Sequence, residues 1–192
     1  MNSTLKIINL TIFCFILSHG SVYPYEVKKN DIMSYLRSKG HDDVTVDKHG
    51  DITVGIAAGA IDFKMDILLK KSGGKAWAIK TMHIVPVKIT RDKVDFMIRL
   101  TNIYNRRKGI FRTSYVKKKG NKYKIIIKSW FPCQYVNDDA RDSMFEEYYS
   151  NSFKMMTSQL KKIYSASKCV LNNSTEKDIK TCLEEYELSS GF

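Results

Sequence analysis

The chain contains no Cys-x-x-Cys pair, no His-Glu-x-x-His run and no Cys/His cluster at metal-ligand spacing. A zinc knuckle, a thiol–disulfide redox motif and a zincin site are therefore not indicated. No phosphate-loop sequence and no nucleophile-elbow serine occur either, and Gly73-Gly74 reads as a hairpin turn between two strand patterns. His41, His49 and His83 fall in separate segments. The adjacent carboxylates Asp42-Asp43, Asp138-Asp139 and Glu146-Glu147 cannot face each other on a helix, and Asp138-Asp139 stands where acids favour a helix N-terminus. Cys133 and His83 are a conceivable nucleophile and base, but nothing in the pattern brings them together. The chain reads as a non-enzyme with no catalytic, metal or cofactor site.

Acidic residues are missing from one long stretch. Between Thr101 and Asn137 there is no Asp or Glu, against ten basic residues: Arg106, Arg107, Lys108, Arg112, Lys117, Lys118, Lys119, Lys122, Lys124 and Lys128. Within a chain of net charge +12, such a block attracts anionic lipid, polyanion or an acidic protein surface. The plainer reading is a lysine-rich strand face that keeps the protein soluble. Both stay open.

Long apolar runs are also lacking, save one. Ile7 to Leu17 carries no charge, follows Lys6 and leads to the small residues Ser18 and Gly20 before Ser21. That is the layout of a secretory signal peptide over residues 1–20, and the run is short for a bilayer of about 30 Å. An uncleaved anchor is the alternative. Export places the mature chain in the periplasm or outside the cell, where disulfides persist. Cys169 and Cys182 lie close in sequence across a turn and are the expected pair. Their loop is worth roughly 3 kcal/mol in the chain-entropy account. Pairing with Cys133 is the alternative; otherwise Cys133 is a small buried residue or forms an intermolecular bond.

The hydrophobic share of 43% suits one globular domain after the signal. Asn30 caps a short helix ending before Gly40. Asp42–Asp47 and Asp51–Ile56 flank a turn at Lys48-His49-Gly50, and Ile61, Phe63 and Met65 alternate with polar residues. Ala76–His83 follows the turn at Ser72–Lys75. Thr90 opens a helix to about Asn105, with Val94, Met97, Ile98, Thr101 and Tyr104 as its buried stripe. A second hairpin joins Phe111–Val116 to Lys122–Phe131, with Lys122, Lys124 and Lys128 sharing a face with Ile126. Asn137 opens a long helix to about Ser165, buried through Ala140, Met144, Tyr148, Met155, Leu160 and Ile163. Thr175–Asp178 resembles a capping box starting a final helix to about Glu187. This order implies an α+β fold. It has an antiparallel sheet of about five to six strands, flanked by an N-terminal, a middle and a long C-terminal helix.

Residues 27–166 resemble the YbjN family of small α+β domains. The likeness is carried by the helix ending near Gly40, by Asp47–Asp51, and by Tyr104, Asn105, Phe111, Arg112 and Tyr115 at the helix-to-strand junction. Tyr104 stands where the family most often has Trp. The resemblance implies a fold like that of type III secretion chaperones, frequent dimerisation and no catalytic machinery. The export signal and the cysteine-bearing extension 167–192, with its short helix, depart from the family, so a cytoplasmic chaperone role does not carry over. For Asn105 the expected role is structural, either in the left-handed region or satisfying loose backbone groups, with Arg112 bracing the loop.

The functional expectation is an exported binding module for a protein or peptide in the bacterial envelope, as a homodimer. The alternative is a peripheral protein holding anionic lipid or polyanion through its basic hairpin. Nucleic acid is disfavoured by export, although Tyr115, Tyr123 and Trp130 are of the type that stacks on bases. Expressed with its leader in a bacterium, the chain should be recovered from the envelope fraction beginning at Ser21, as read by N-terminal sequencing. Recovery of an intact Met1 in the cytosol would remove the export premise.

Overall fold

A computed structural model describes residues 26–57, 62–106, 112–133 and 140–189. Residues 1–20, Arg107, Lys108, Phe111 and the Asp138-Asp139 pair lie outside them. The chain runs α1 (Lys29–Ser38), β1 (Val44–Val46), β2 (Ile52–Ala57), β3 (Asp62–Ser72) and β4 (Lys75–Ile84). A 3-10 turn (Arg91–Lys93) leads into α2 (Val94–Arg106), then β5 (Arg112–Lys119) and β6 (Lys122–Pro132). Three helical pieces follow: α3 (Arg141–Tyr148), a π-helical segment (Tyr149–Lys154) and α4 (Met155–Asn172). The last element is α5 (Glu176–Ser189).

The six strands form one antiparallel sheet in the order β1-β2-β3-β4-β6-β5. The expected α+β architecture is therefore present. Local chemistry sets the turns. The Asp47 carboxylate accepts the backbone N–H groups of His49 and Asp51 at 2.8 and 2.9 Å, closing the first hairpin. Gly73 and Gly74 both have positive φ, which a two-residue turn between twisted strands requires and side chains resist. The first helix starts earlier than Asn30, because Asp31 accepts the N–H of Lys28 at 2.9 Å and so caps from within.

One face of the sheet is apolar. Ile52, Val54 and Ile56 on β2, Phe63, Met65 and Ile67 on β3, Ile79 on β4, and Ile125 and Ile127 on β6 are all buried in one core with the helices. Polar groups within it are paired across elements. Thr81 on β4 and Ser129 on β6 stand opposite each other. The Tyr148 hydroxyl bonds Thr81 Oγ1 at 2.9 Å, and Ser129 Oγ donates to Ser152 Oγ at 3.1 Å. Full burial pushes the Tyr148 hydroxyl pKa well up, so it stays protonated.

Three expectations about helices need correction. In α2 the buried residues are Met97, Leu100, Thr101, Ile103 and Tyr104, while Ile98 is 41% exposed. The long helix continues to Asn172 and is interrupted by the π segment. A wider i→i+5 turn takes up extra residues, so the face carried forward from Tyr148 arrives at Met156 instead of Met155. Ala140 is exposed for its part. Beyond α4, Thr175 Oγ1 accepts the Asp178 N–H at 3.2 Å, the expected cap of α5. Cys169 on α4 is disulfide-bonded to Cys182 on α5, with Cα atoms 5.9 Å apart. Cys133 is buried, and burial pushes its thiol up to about 11, so it remains a neutral, apolar-like group.

His83 is 1% exposed on β4; Nδ1 contacts the Lys64 carbonyl at 2.6 Å, and Nε2 has no hydrogen-bond partner among the described residues. Burial pushes its pKa down to about 4, partly opposed by the Lys64 contact. The unfolded chain, with His near 6.5, thus binds the proton first. Stability should be fully present above about pH 6.5 and fall by roughly 3 kcal/mol as pH drops towards about 4. Urea titrations across that window should show the loss, and His83→Phe should flatten this part of the pH slope. An unchanged slope would refute the assignment.

Candidate functional site: the uncovered sheet face

The opposite face of the sheet carries no helix among the described residues; helix side chains with bonds or ring contacts to the sheet meet its apolar face. Strand alternation and register place the residues that point away from the core. They include Asp62, Lys64, Asp66 and Leu68 on β3, and Lys80, Met82 and Ile84 on β4. On β6 they are Lys124, Ile126, Lys128 and Trp130, opposite Lys117, Tyr115 and Thr113 of β5. At the bulge between Lys70 and Lys71, Trp77 is the extra residue on β4. It leaves the alternation and stacks on Trp130, centroids 5.8 Å apart.

Lysines lie over rings on this face. Lys128 Nζ is 4.6 Å from the Tyr115 centroid, and Lys80 Nζ is 5.2 Å from that of Trp130. Each contact sets an ammonium over the negative face of a ring, a cation–π arrangement. The Lys80 pKa is lowered, first by partial burial and then by Lys128 and Lys70. Like charges are thus crowded here, and an incoming anion would relieve them. Trp77 and Ile84 remain 39% and 38% exposed, so apolar surface lies between the charges.

Charge divides the face. The β4-β6-β5 side is basic, and β5 and β6 contain no acid. The β1-β3 side carries Asp62 and Asp66, interrupted by Lys64. It also holds Asp43, whose carboxylate lies so close over Gly55 that a Cβ there would collide with it. Gly55 is therefore needed for this approach.

The structure gathers only part of the sequence-based basic set. Lys117, Lys124 and Lys128 share the uncovered face, with Lys119 and Lys122 paired at the hairpin end. Lys118 pairs with Tyr123 and sits on the other alternation phase, its Nζ 6.0 Å from that ring. Arg106 ends α2 and is bridged to Glu187 at 3.4 Å, away from the strands. Lys80 and Trp77 escaped sequence reasoning, because only the β4–β6 pairing brings them beside Lys128 and Trp130. Arg112 stands at the start of β5 opposite Ser129.

Asn105 works as a backbone surrogate. Its Nδ2 donates to the Ser114 carbonyl at 2.8 Å, and its Oδ1 accepts the Ser114 N–H at 2.6 Å. No non-glycine residue among those described has positive φ, so the left-handed option does not apply. Tyr104 is buried beside it. His83 sits opposite Ile127, whereas Cys133 hangs on the Trp77 carbonyl near the other end of β4, so the two cannot act together.

Among the described residues no group of three His, Cys, Asp or Glu could hold a metal ion, and no helix is long and apolar enough to cross a membrane. No family model, curated protein or solved structure matches this chain. Asn105→Ala should strip the edge strand of both bonds and destabilise the protein by about 1–3 kcal/mol in urea unfolding. Wild-type stability in that variant would show that the Ser114 backbone is satisfied elsewhere.

Proposed function

We propose that this chain is an exported, non-enzymatic binding module of the YbjN-like type. In this reading its uncovered sheet face receives an acidic protein or peptide partner in the bacterial envelope. The observation that carries the proposal is the placement of Lys128 and Lys80 over Tyr115 and Trp130 on strands whose outer surface is partly apolar. Lysine-bearing rings suit a partner that alternates carboxylates with apolar side chains: the carboxylates meet the ammonium groups and the apolar groups meet Ile84 and Trp77. Self-association fits the same surface, since a two-fold pairing of identical faces can set Asp62 and Asp66 of one copy against lysines of β5 and β6 of the other.

A lipid reading rests on a different observation, the cluster of Lys117, Lys118, Lys119 and Lys122 around the Gly120 turn. Such a tip meets a charged plane without needing the rings behind it. Both tryptophans of the chain lie on the uncovered face, so intrinsic fluorescence reports occupancy there. A soluble peptide alternating Glu and Phe should shift that emission, weaken with salt without vanishing, and lose roughly tenfold in affinity against the Lys122→Glu, Lys124→Glu, Lys128→Glu variant. Unchanged peptide affinity in that variant would refute the proposal. Salt-sensitive retention on phosphatidylglycerol vesicles without peptide binding would replace it with the lipid reading.

A further inference from the structure

The last helix is tied to the body of the protein by one covalent bond. Cys169, in the final turn of α4, is bonded to Cys182 in the middle of α5, 13 residues on. Beside that bond, α5 buries Ile179, Leu183 and Tyr186. Its polar ties lie at the surface. Lys162 Nζ donates to the Ser189 carbonyl at 2.8 Å, and Arg106 meets Glu187 at 3.4 Å with both side chains exposed. Exposed ion pairs hold weakly. A helix of 14 residues is marginal in water by itself, so α5 keeps its form by docking.

The bond can be reached from solvent. Both cysteines line an open concavity of about 370 Å³ between α4 and α5. Cys169 is partly exposed, whereas Cys182 is buried. Lys161 and Lys162 outnumber Glu185 along the same concavity, which favours the approach of a thiolate.

A fixed point precedes the helix. Asn173 Nδ2 donates to the Cys169 carbonyl at 3.0 Å and lies 3.4 Å from Cys182 Sγ. The Asn173 carbonyl accepts Lys93 Nζ at 2.7 Å, and Lys93 is itself buried at the start of α2. The chain is therefore anchored at Asn173, and α5 is the segment beyond that anchor. The pairs that set the long helix on the sheet, Thr81 with Tyr148 and Ser129 with Ser152, do not involve α5. Charge also separates the two helices: α4 has three lysines and no acid, whereas α5 has five acids and two lysines.

We propose that Cys169–Cys182 is a redox latch: a dithiol opens it, and α5 then leaves α4 while the sheet and the other helices stay folded. A thiolate of the dithiol attacks Cys169 Sγ, the Sγ–Sγ bond breaks, and Cys182 departs as a thiolate that takes up a proton. The second thiol of the reagent then attacks the mixed disulfide, releasing Cys169 as a thiol and the reagent as its own disulfide. Two electrons pass to the protein, and the reverse exchange with a disulfide oxidant closes the latch. Opening moves an acidic helix off a basic one, so the surface charge of this side changes with redox state. Buried Cys133 takes no part. The latch is independent of the sheet-face reading.

Hydrogen exchange followed by peptide mass spectrometry tests this on the mature protein before and after millimolar dithiothreitol. On reduction the amides of Glu176–Ser189 should exchange about tenfold faster or more, while those of β3, β4 and β6 keep their protection. Replacing the reductant by oxidised glutathione should restore the first pattern. Cys169→Ser with Cys182→Ser should show the open pattern without reductant, and Cys133→Ala should respond as wild type. The reduced wild type is read directly, so the outcome does not depend on either variant. Unchanged protection of α5 after reduction, loss of protection across the sheet together with α5, or a bond that resists dithiothreitol in the folded protein would each overturn the proposal.

Discussion

Two hydrogen bonds set side by side decide how the long helix lies on the sheet. Thr81 and Ser129 face each other across β4 and β6, and Tyr148 and Ser152 reach them from one helical turn. Each group is buried, so an unpaired hydroxyl would cost about 1–3 kcal/mol, and a slip of the helix by one residue would orphan all four. Apolar packing alone tolerates such slips far better, because it is not directional. The polar pairs therefore give register, while Phe63, Ile79, Met156, Leu160 and their neighbours give the larger share of stabilisation. The π segment accommodates this register. It lets Ser152 and Phe153 both turn inwards before the α-helix resumes at Met155.

Placing every described helix on one side leaves the sheet with an uncovered face. Its character follows from strand order. β6 inserts beside β4, so Lys80 and Trp77 join Lys128, Trp130 and Tyr115 in one surface, and the acids of β3 are kept to the other half. Lys80 is partly desolvated in advance by its burial beside Trp130, which lowers the cost of meeting a carboxylate. The sheet face is broad and suited to an extended or protein surface.

The alternating strands, the hairpin turns, the helices and the Cys169–Cys182 pairing were all legible from spacing. β-Alternation and the capping pattern at Thr175 are local signals, read within a few residues. Ile98 shows where that reasoning stops. It shares a helical stripe with Met97 and Thr101 on paper, but the buried face runs through Met97, Leu100, Thr101, Ile103 and Tyr104 and leaves Ile98 41% exposed. Met155 fails for a related reason: a π turn leaves no mark in an apolar pattern, and the face drifts by one residue beyond it. Of the candidate site, the lysines of β5 and β6 were visible as a run without acids. Arg106 belonged to that run by sequence alone and points to Glu187 instead.

By itself the sequence determined which segments pair or coil, which residues seek the core and where positive charge concentrates, because those properties depend on neighbours along the chain. Tertiary structure alone decided that Trp77 leaves its strand alternation, that Lys80 joins the basic surface and that His41 packs against Tyr149 and Phe153. Each of these brings together residues separated by tens to more than a hundred positions. Such contacts arise only when sheet order and helix register are settled, and no local periodicity encodes them.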